Sequence, residues 1–151
     1  MARAPFQVLV YPYRAVGNDF EYALLKRADD GYWQGVAGGG EDNETPLEAA
    51  KRETREESGL AETSAFLQLD TVCPNPVNEF RDSYLWGDNV YVIPQYFFGV
   101  QADQQAIVLS HEHTAHCWVK YDQALSLIKY DGNKIALWEL DRKLRGLGPR
   151  D

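Results

Sequence analysis

Cysteine is scarce in this chain: Cys73 and Cys117 are the only two in 151 residues, and they form no CxxC pair. A disulfide framework is thereby excluded, and a reducing, cytoplasmic setting is expected, with both residues read as buried thiols rather than catalysts. Positive charge is also short. Fifteen Lys and Arg face 23 Asp and Glu, for a formal net charge of −8, and no basic stripe stands out. That balance argues against a protein that holds nucleic acid by neutralising a phosphate backbone. No run approaches the ~20 apolar residues of a membrane helix. The opening MARAPFQVLVYPYR is too short for a secretory apolar core and is broken by Pro12, so neither export nor a membrane anchor is expected. Repeats and low-complexity tracts are absent too.

What is present suits one domain over residues 1–151, long enough to bury a core without disulfides. A 13% aromatic share leaves rings to spare for lining a pocket. Residues 5–14 are rich in β-branched and aromatic types and predict a strand, turned at Val16-Gly17-Asn18-Asp19 into a second over 20–27. A turn at Ala28-Asp29-Asp30-Gly31 leads through Tyr32-Trp33-Gln34 into a run of glycines. Further strands are predicted over 65–73, 90–100 and 117–119, with Pro94 marking an edge or a bulge. Between them lie a proline-rich loop and a polar span through Asp88, a candidate lid. Helices are predicted over 121–128 and 132–144, the latter with Ile135, Leu137, Leu140 and Leu144 at helical spacing. This order gives an α/β chain, a mixed sheet flanked by helices.

One stretch organises the rest: GGGEDNETPLEAAKRETREESGL, from Gly38 to Leu60. Thr45-Pro46-Leu47-Glu48 is a capping box with proline at the first helical position, and Gly59 before Leu60 is a left-handed stop, so a helix of roughly 13 residues lies between. On it Glu53, Glu56 and Glu57 stand at i, i+3 and i+4, which gathers three carboxylates on one patch. Like charges so placed repel unless a cation intervenes, and magnesium favours such hard oxygen ligands, completed by water and substrate phosphates. An acidic solvated helix face is the plainer reading of three glutamates taken alone. Gly38-Gly39-Gly40 lets backbone approach a ligand closely.

Gly38, five residues, Glu44, seven residues and then Arg52-Glu53-Thr54-Arg55-Glu56-Glu57-Ser58-Gly59-Leu60 is similar to the Nudix box of the Nudix hydrolases. Thr54 departs from the aliphatic residue usual there but keeps the β-branched shape. The resemblance implies a Nudix fold, an α/β/α sandwich with a mixed β-sheet. It also implies magnesium (with manganese as an alternative) bound by Glu53, Glu56 and Glu57 near the Gly38 carbonyl, while Arg52 and Glu44 hold loop and helix in register.

Outside the box, His111, His113 and His116 crowd into Ser110–Trp118 and invite a zinc reading, but they fall in a predicted loop and no second thiolate is at ligand spacing. The segment Ser110-His111-Glu112-His113 followed by Trp118 instead resembles Nudix enzymes acting on dihydroneopterin triphosphate and dinucleoside polyphosphates. On that resemblance Glu112 is a further metal ligand or the general base, which must come within about 3 Å of the attacking water. A solvated loop glutamate is the alternative. Lys26–Gln34 is similar to the dihydroneopterin triphosphate group as well, which makes Arg27, Tyr32, Trp33 and Gln34 candidate substrate-binding residues, with core packing an equal option for Trp33. The catalytic set implied is Arg52, Glu53, Glu56, Glu57 and Glu112. The activity implied is magnesium-dependent cleavage of a small diphosphate-containing substrate, a nucleoside or dihydroneopterin triphosphate, to monophosphate and pyrophosphate. A nucleotide-sugar hydrolase of the ADP-ribose type, on the strength of Pro76, a dinucleoside polyphosphate hydrolase and a non-catalytic ligand sensor are the rivals. The oligomeric state is left open, a homodimer included.

Overall fold

The strand β1 (Arg3–Val16) carries the architecture because its side chains are buried on both faces, Val8 and Val10 on one, Leu9 and Tyr11 on the other. A strand without a wet face belongs between two layers. The computed structural model describes residues 2–150. From β1 the chain turns through Gly17, whose φ of +62° suits the first position of a two-residue hairpin, into β2 (Asp19–Arg27). There follow β3 (Trp33–Gln34), β4 (Val36–Glu41), α1 (Pro46–Ser58), β5 (Phe66–Pro76), β6 (Val92–Gln101), β7 (His113–Val119), α2 (Tyr121–Leu127) and α3 (Asp131–Leu144).

The seven strands form one mixed sheet with the path β3-β2-β1-β6-β5, β4 pairing β1 and β7 pairing β2. β1 and β6 run parallel, with Gln7 beside Gln95 and Leu9 beside Phe97; the other pairings are antiparallel. One face packs Leu9, Tyr11, Tyr22, Leu24 and Phe97 against Ala124 of α2 and Ala136, Leu137 and Leu140 of α3. The opposite face packs Val8, Val10, Val36, Phe98 and Val100 against Ala49 and Ala50 of α1. The expected α/β/α sandwich is therefore what the chain forms. Truncating Phe97 or Phe98, each fully buried, to alanine would cost about 3–5 kcal/mol.

The cap chemistry of α1 is as the sequence predicts. Thr45 Oγ1 accepts from Glu48 N at 3.2 Å, Glu48 Oε1 accepts from Thr45 N at 2.8 Å, and Gly59 ends the helix at φ +73°. Thr54 is fully buried with its hydroxyl unpartnered, so it occupies an aliphatic site as anticipated.

Several boundaries move. β7 starts at His113 rather than 117, because 113–119 finds a full antiparallel partner in β2, so His113 and His116 are strand residues. β5 runs on to Pro76, past the predicted end. As an edge strand it has one unpaired side where a missing N–H is harmless, and Pro74 lies opposite Pro94, a pair that asks for no ladder bond. Pro94 sits just before β6 begins to pair with β1 at Gln95, so it is bordered by β5 alone. Ile135 is 54% exposed; α3 buries Ala136, Leu137 and Leu140 instead. The polar span after β5 folds into two 3-10 turns, Val77–Glu79 and Ser83–Trp86, and Trp86 Nε1 donates to Arg3 O at 2.8 Å. Among the described residues no helix is long and apolar enough to cross a membrane.

Candidate active site

A cleft of about 1140 Å³ opens where β4, the start of β1, the end of β5 and the first turn of α3 meet. Its volume suits a nucleotide-sized ligand. Gly38, Glu53 and Glu112 lie at one end, and Asn75, Gln95 and Asn133 line another stretch of wall.

At the acidic end α1 lies so close over β4 that a Cβ on Gly38 would stand 2.2 Å from Glu53 Cδ. Glycine is what admits the glutamate. Arg52 ties the assembly together. Its Nε and Nη2 fork onto Glu44 at 2.8 and 2.9 Å, Nη2 also donates to Gly39 O at 2.8 Å, and Nη1 reaches Glu53 at 2.9 Å and Glu56 at 3.3 Å. Helix and preceding loop are thus held in register through Arg52 and Glu44. Glu56 stays on the solvent side, its side chain 47% exposed.

Glu57 is buried, with Oε2 unpartnered. Burial raises its pKa to about 9, aided by the Glu112 carboxyl hydrogen-bonded to it and by the charge of Glu53, against an opposing hydrogen bond from the Ala37 backbone. Glu53 is raised to about 7, again chiefly by burial, with Arg52 pulling the other way. A fold that holds Glu53, Glu57 and Glu112 together with an orphaned carboxylate oxygen is adverse on its own. These hard oxygen donors fit a divalent cation, whose charge would reverse both shifts. In the present arrangement Arg52 bridges Glu53 and Glu56, and among the described residues no group of three or more His, Cys, Asp or Glu side chains forms a ready metal cage. The zinc reading of the histidines gains no support. His113 is buried with neither ring nitrogen bonded, and burial lowers its pKa. Cys73 and Cys117 are free and half-buried.

The remaining predicted residues divide. Arg27, Tyr32 and Gln34 line the cleft. Arg27 is forked onto Asp29 at 2.8 and 2.6 Å, and Tyr32 stands edge-on to Tyr130 at 5.6 Å with Lys129 over both rings. Gln34 is buried with Nε2 unpartnered. Trp33 is not in the wall. It packs against the core beneath α2 and α3 and bridges to Ile128, the packing alternative.

Sequence reasoning overlooked Arg3, Gln7, Asn75, Gln95, Tyr130 and Asn133, all in the wall. Gln7 and Gln95 carried a signal, being amides set inside the apolar runs PFQVLVY and VIPQYFF. Asn75 Nδ2 donates to Gln95 Oε1 at 2.9 Å, and Gln95 Nε2 to Asn133 Oδ1 at 3.4 Å. Whichever way these amides are flipped, one end of the chain offers an N–H donor and the other a carbonyl acceptor.

The sequence model of the NUDIX domain matches residues 7–139. Nucleoside triphosphatase NudI from Escherichia coli is 31% identical over 141 residues, covering 87% of this chain and 92% of that protein. Dihydroneopterin triphosphate diphosphatase from Haemophilus influenzae is 29% identical over 119 residues, 76% of this chain and 74% of that one. A solved NUDIX hydrolase structure from Listeria monocytogenes superposes with a TM-score of 0.86 at 37% identity, covering 95% of this chain and 96% of its own.

Proposed function

The chain belongs to the NUDIX family and is a hydrolase of phosphate-containing small molecules, and from that premise we propose that it cleaves a nucleoside or dihydroneopterin triphosphate to a monophosphate and pyrophosphate with magnesium. The observation that carries the reading is the pair Glu53 and Glu112 in the wall of a nucleotide-sized cleft with the buried Glu57 against them, Glu53 and Glu57 driven toward the neutral form by burial and by neighbouring carboxylates. Glu53, Glu56 and Glu57, with the Gly38 carbonyl, would hold the ion, and Glu112 would either add a ligand or serve as the base. Bound there, it would polarise phosphoryl oxygens and acidify water.

The chain's own groups do the rest. Glu112 lines the cleft against Glu57; as the base it would take the proton from water as the water oxygen attacks phosphorus and the bridging P–O bond breaks. Arg52 keeps Glu53 and Glu56 oriented. Tyr32 and Tyr130 would offer ring edges to the substrate's planar part, with Gln34 buried in the same cleft wall. Arg27 borders the cleft with its fork held by Asp29. Of the relatives, one is named for nucleoside triphosphates and one for dihydroneopterin triphosphate, which supports the substrate class. Residues 1–151 are read as a single domain, and the two free cysteines suit a cytoplasmic enzyme.

The test is a panel of dihydroneopterin triphosphate, the nucleoside triphosphates, ADP-ribose and a dinucleoside tetraphosphate, with and without magnesium, read by product identity. Pyrophosphate from a triphosphate, at the highest kcat/KM of the panel and only with the ion, is the expected result. ADP-ribose turned over faster, into two monophosphates, would overturn the assignment.

A further inference from the structure

Three arginines meet the cleft region, and two have their charge matched. Arg52 has Glu41, Glu44, Glu53 and Glu56 within ion-pair distance, and Arg27 has Asp29. Arg3 forms no ion pair among the described residues. Its one side-chain hydrogen bond is to the neutral Oε1 of Gln7, and its Nε is buried without a partner. The guanidinium lies against the rings of Phe80, 5.2 Å to the centroid, and Trp86, 5.9 Å. In a chain of net charge −8, a half-buried guanidinium stands out when the carboxylates near it, Asp82, Glu53 and Glu41, act on it only through space and none bonds it directly, because removing a cation from water is costly until an anion pairs with it.

Its placement shows where the anion would sit. Arg3, Gln7, Gly39, Glu53 and Phe80 all line the same cleft. A Cβ on Gly39 would fall 1.7 Å from Arg3 Nε, as one on Gly38 would meet Glu53. Successive residues of a strand face opposite ways, so two neighbouring glycines of β4 seat a carboxylate on one side and a cation on the other. A guanidinium forks onto phosphate oxygens more readily than onto any neutral group.

We propose that Arg3 is a substrate-binding residue that takes the phosphate chain of the diphosphate-containing substrate, with the Phe80 and Trp86 rings holding its guanidinium in plane. The identity of that substrate rests on the hydrolase reading above; the anion site itself does not. The experiment is calorimetric titration of imidodiphosphate, a pyrophosphate mimic, with magnesium present, into the parent, Arg3→Gln, Arg3→Lys and Arg27→Gln, each checked for folding by thermal melting. Arg3→Gln should weaken binding about tenfold or more, the loss expected for a hydrogen bond to a charged group. Arg3→Lys, which keeps charge but not the fork, should fall between, and Arg27→Gln should lose less than Arg3→Gln. Should Arg3→Gln not fold, Arg3→Lys decides, a loss of about threefold or more being expected. No binding by the parent, parent-like affinity in the Arg3 variants that fold, or an equal loss in Arg27→Gln would overturn the proposal. Arg3-dependent binding without triphosphate hydrolysis would retire the hydrolytic reading and leave the anion site standing.

Discussion

The two ends of the cleft are built in opposite ways. The acidic end draws its box residues from one continuous stretch, Gly38 to Glu57, and concentrates charge: three carboxylates share a small volume, and Arg52 binds four. The amide wall is made of uncharged side chains drawn from separate elements, Asn75 of β5, Gln95 of β6 and Asn133 of α3. Charge suits chemistry on phosphate, and a fixed donor–acceptor pattern suits telling one planar ring from another. The difference teaches that reaction and recognition are divided along the cleft and should fail separately.

The division breaks most visibly at Glu57. Glu57→Gln should lower kcat about a thousandfold, since an ion worth several kcal/mol in the transition state loses a ligand, while the melting temperature of the metal-free protein stays or rises because an adverse buried carboxyl is gone. Steady-state kinetics beside thermal melting checks both, and unchanged kcat would remove the metal site from α1. Next in size, Glu112→Gln should lower kcat about a hundredfold. If Glu112 is the base, magnesium affinity holds; if it is a ligand, affinity falls with the rate, as a metal titration of activity would show.

At the other end Gln95→Ala, which cuts the amide chain between Asn75 and Asn133, should raise KM about three- to tenfold with kcat nearly kept. A large fall in kcat with KM unchanged would erase the contrast. Smallest is a pH effect on stability. Glu53, facing Arg52, Glu56 and Glu112, and Glu57, facing Glu53 and Glu112, are raised from an ordinary value of 4.5 to about 7 and about 9. The unfolded chain then binds fewer protons than the folded one, so the stability of the metal-free protein falls as pH rises from about 4.5 through those values. Denaturant midpoints across that range should show the slope, magnesium should reverse it, and Glu57→Gln should flatten it.

The same contrast explains what could be read in advance. Thr45, Pro46, Glu48 and Gly59 determine α1 through local capping, and spacing on that helix then brings Glu53, Glu56 and Glu57 together, so the acidic end was legible without a fold. Glu112 required the resemblance as well, because β7 reaches it through pairing with β2. Arg3 and Asn133 gave no sign. Each matters only through partners far along the chain, Arg3 through Phe80, Trp86 and Gly39, and Asn133 through Gln95. Trp33 shows the reverse hazard: next to Gln34 on β3, it turns to the core while Gln34 lines the cleft, because successive residues of a strand face opposite ways.

Hydrolysis of the preferred triphosphate in oxygen-18 water tests the two-ended cleft most directly. With the ring at the amide wall and phosphates at the carboxylates, the products should be a monophosphate and pyrophosphate, with the label in one of them marking the phosphorus attacked. Orthophosphate and a diphosphate would mean that the substrate lies otherwise, and would contradict the assignment of the two ends.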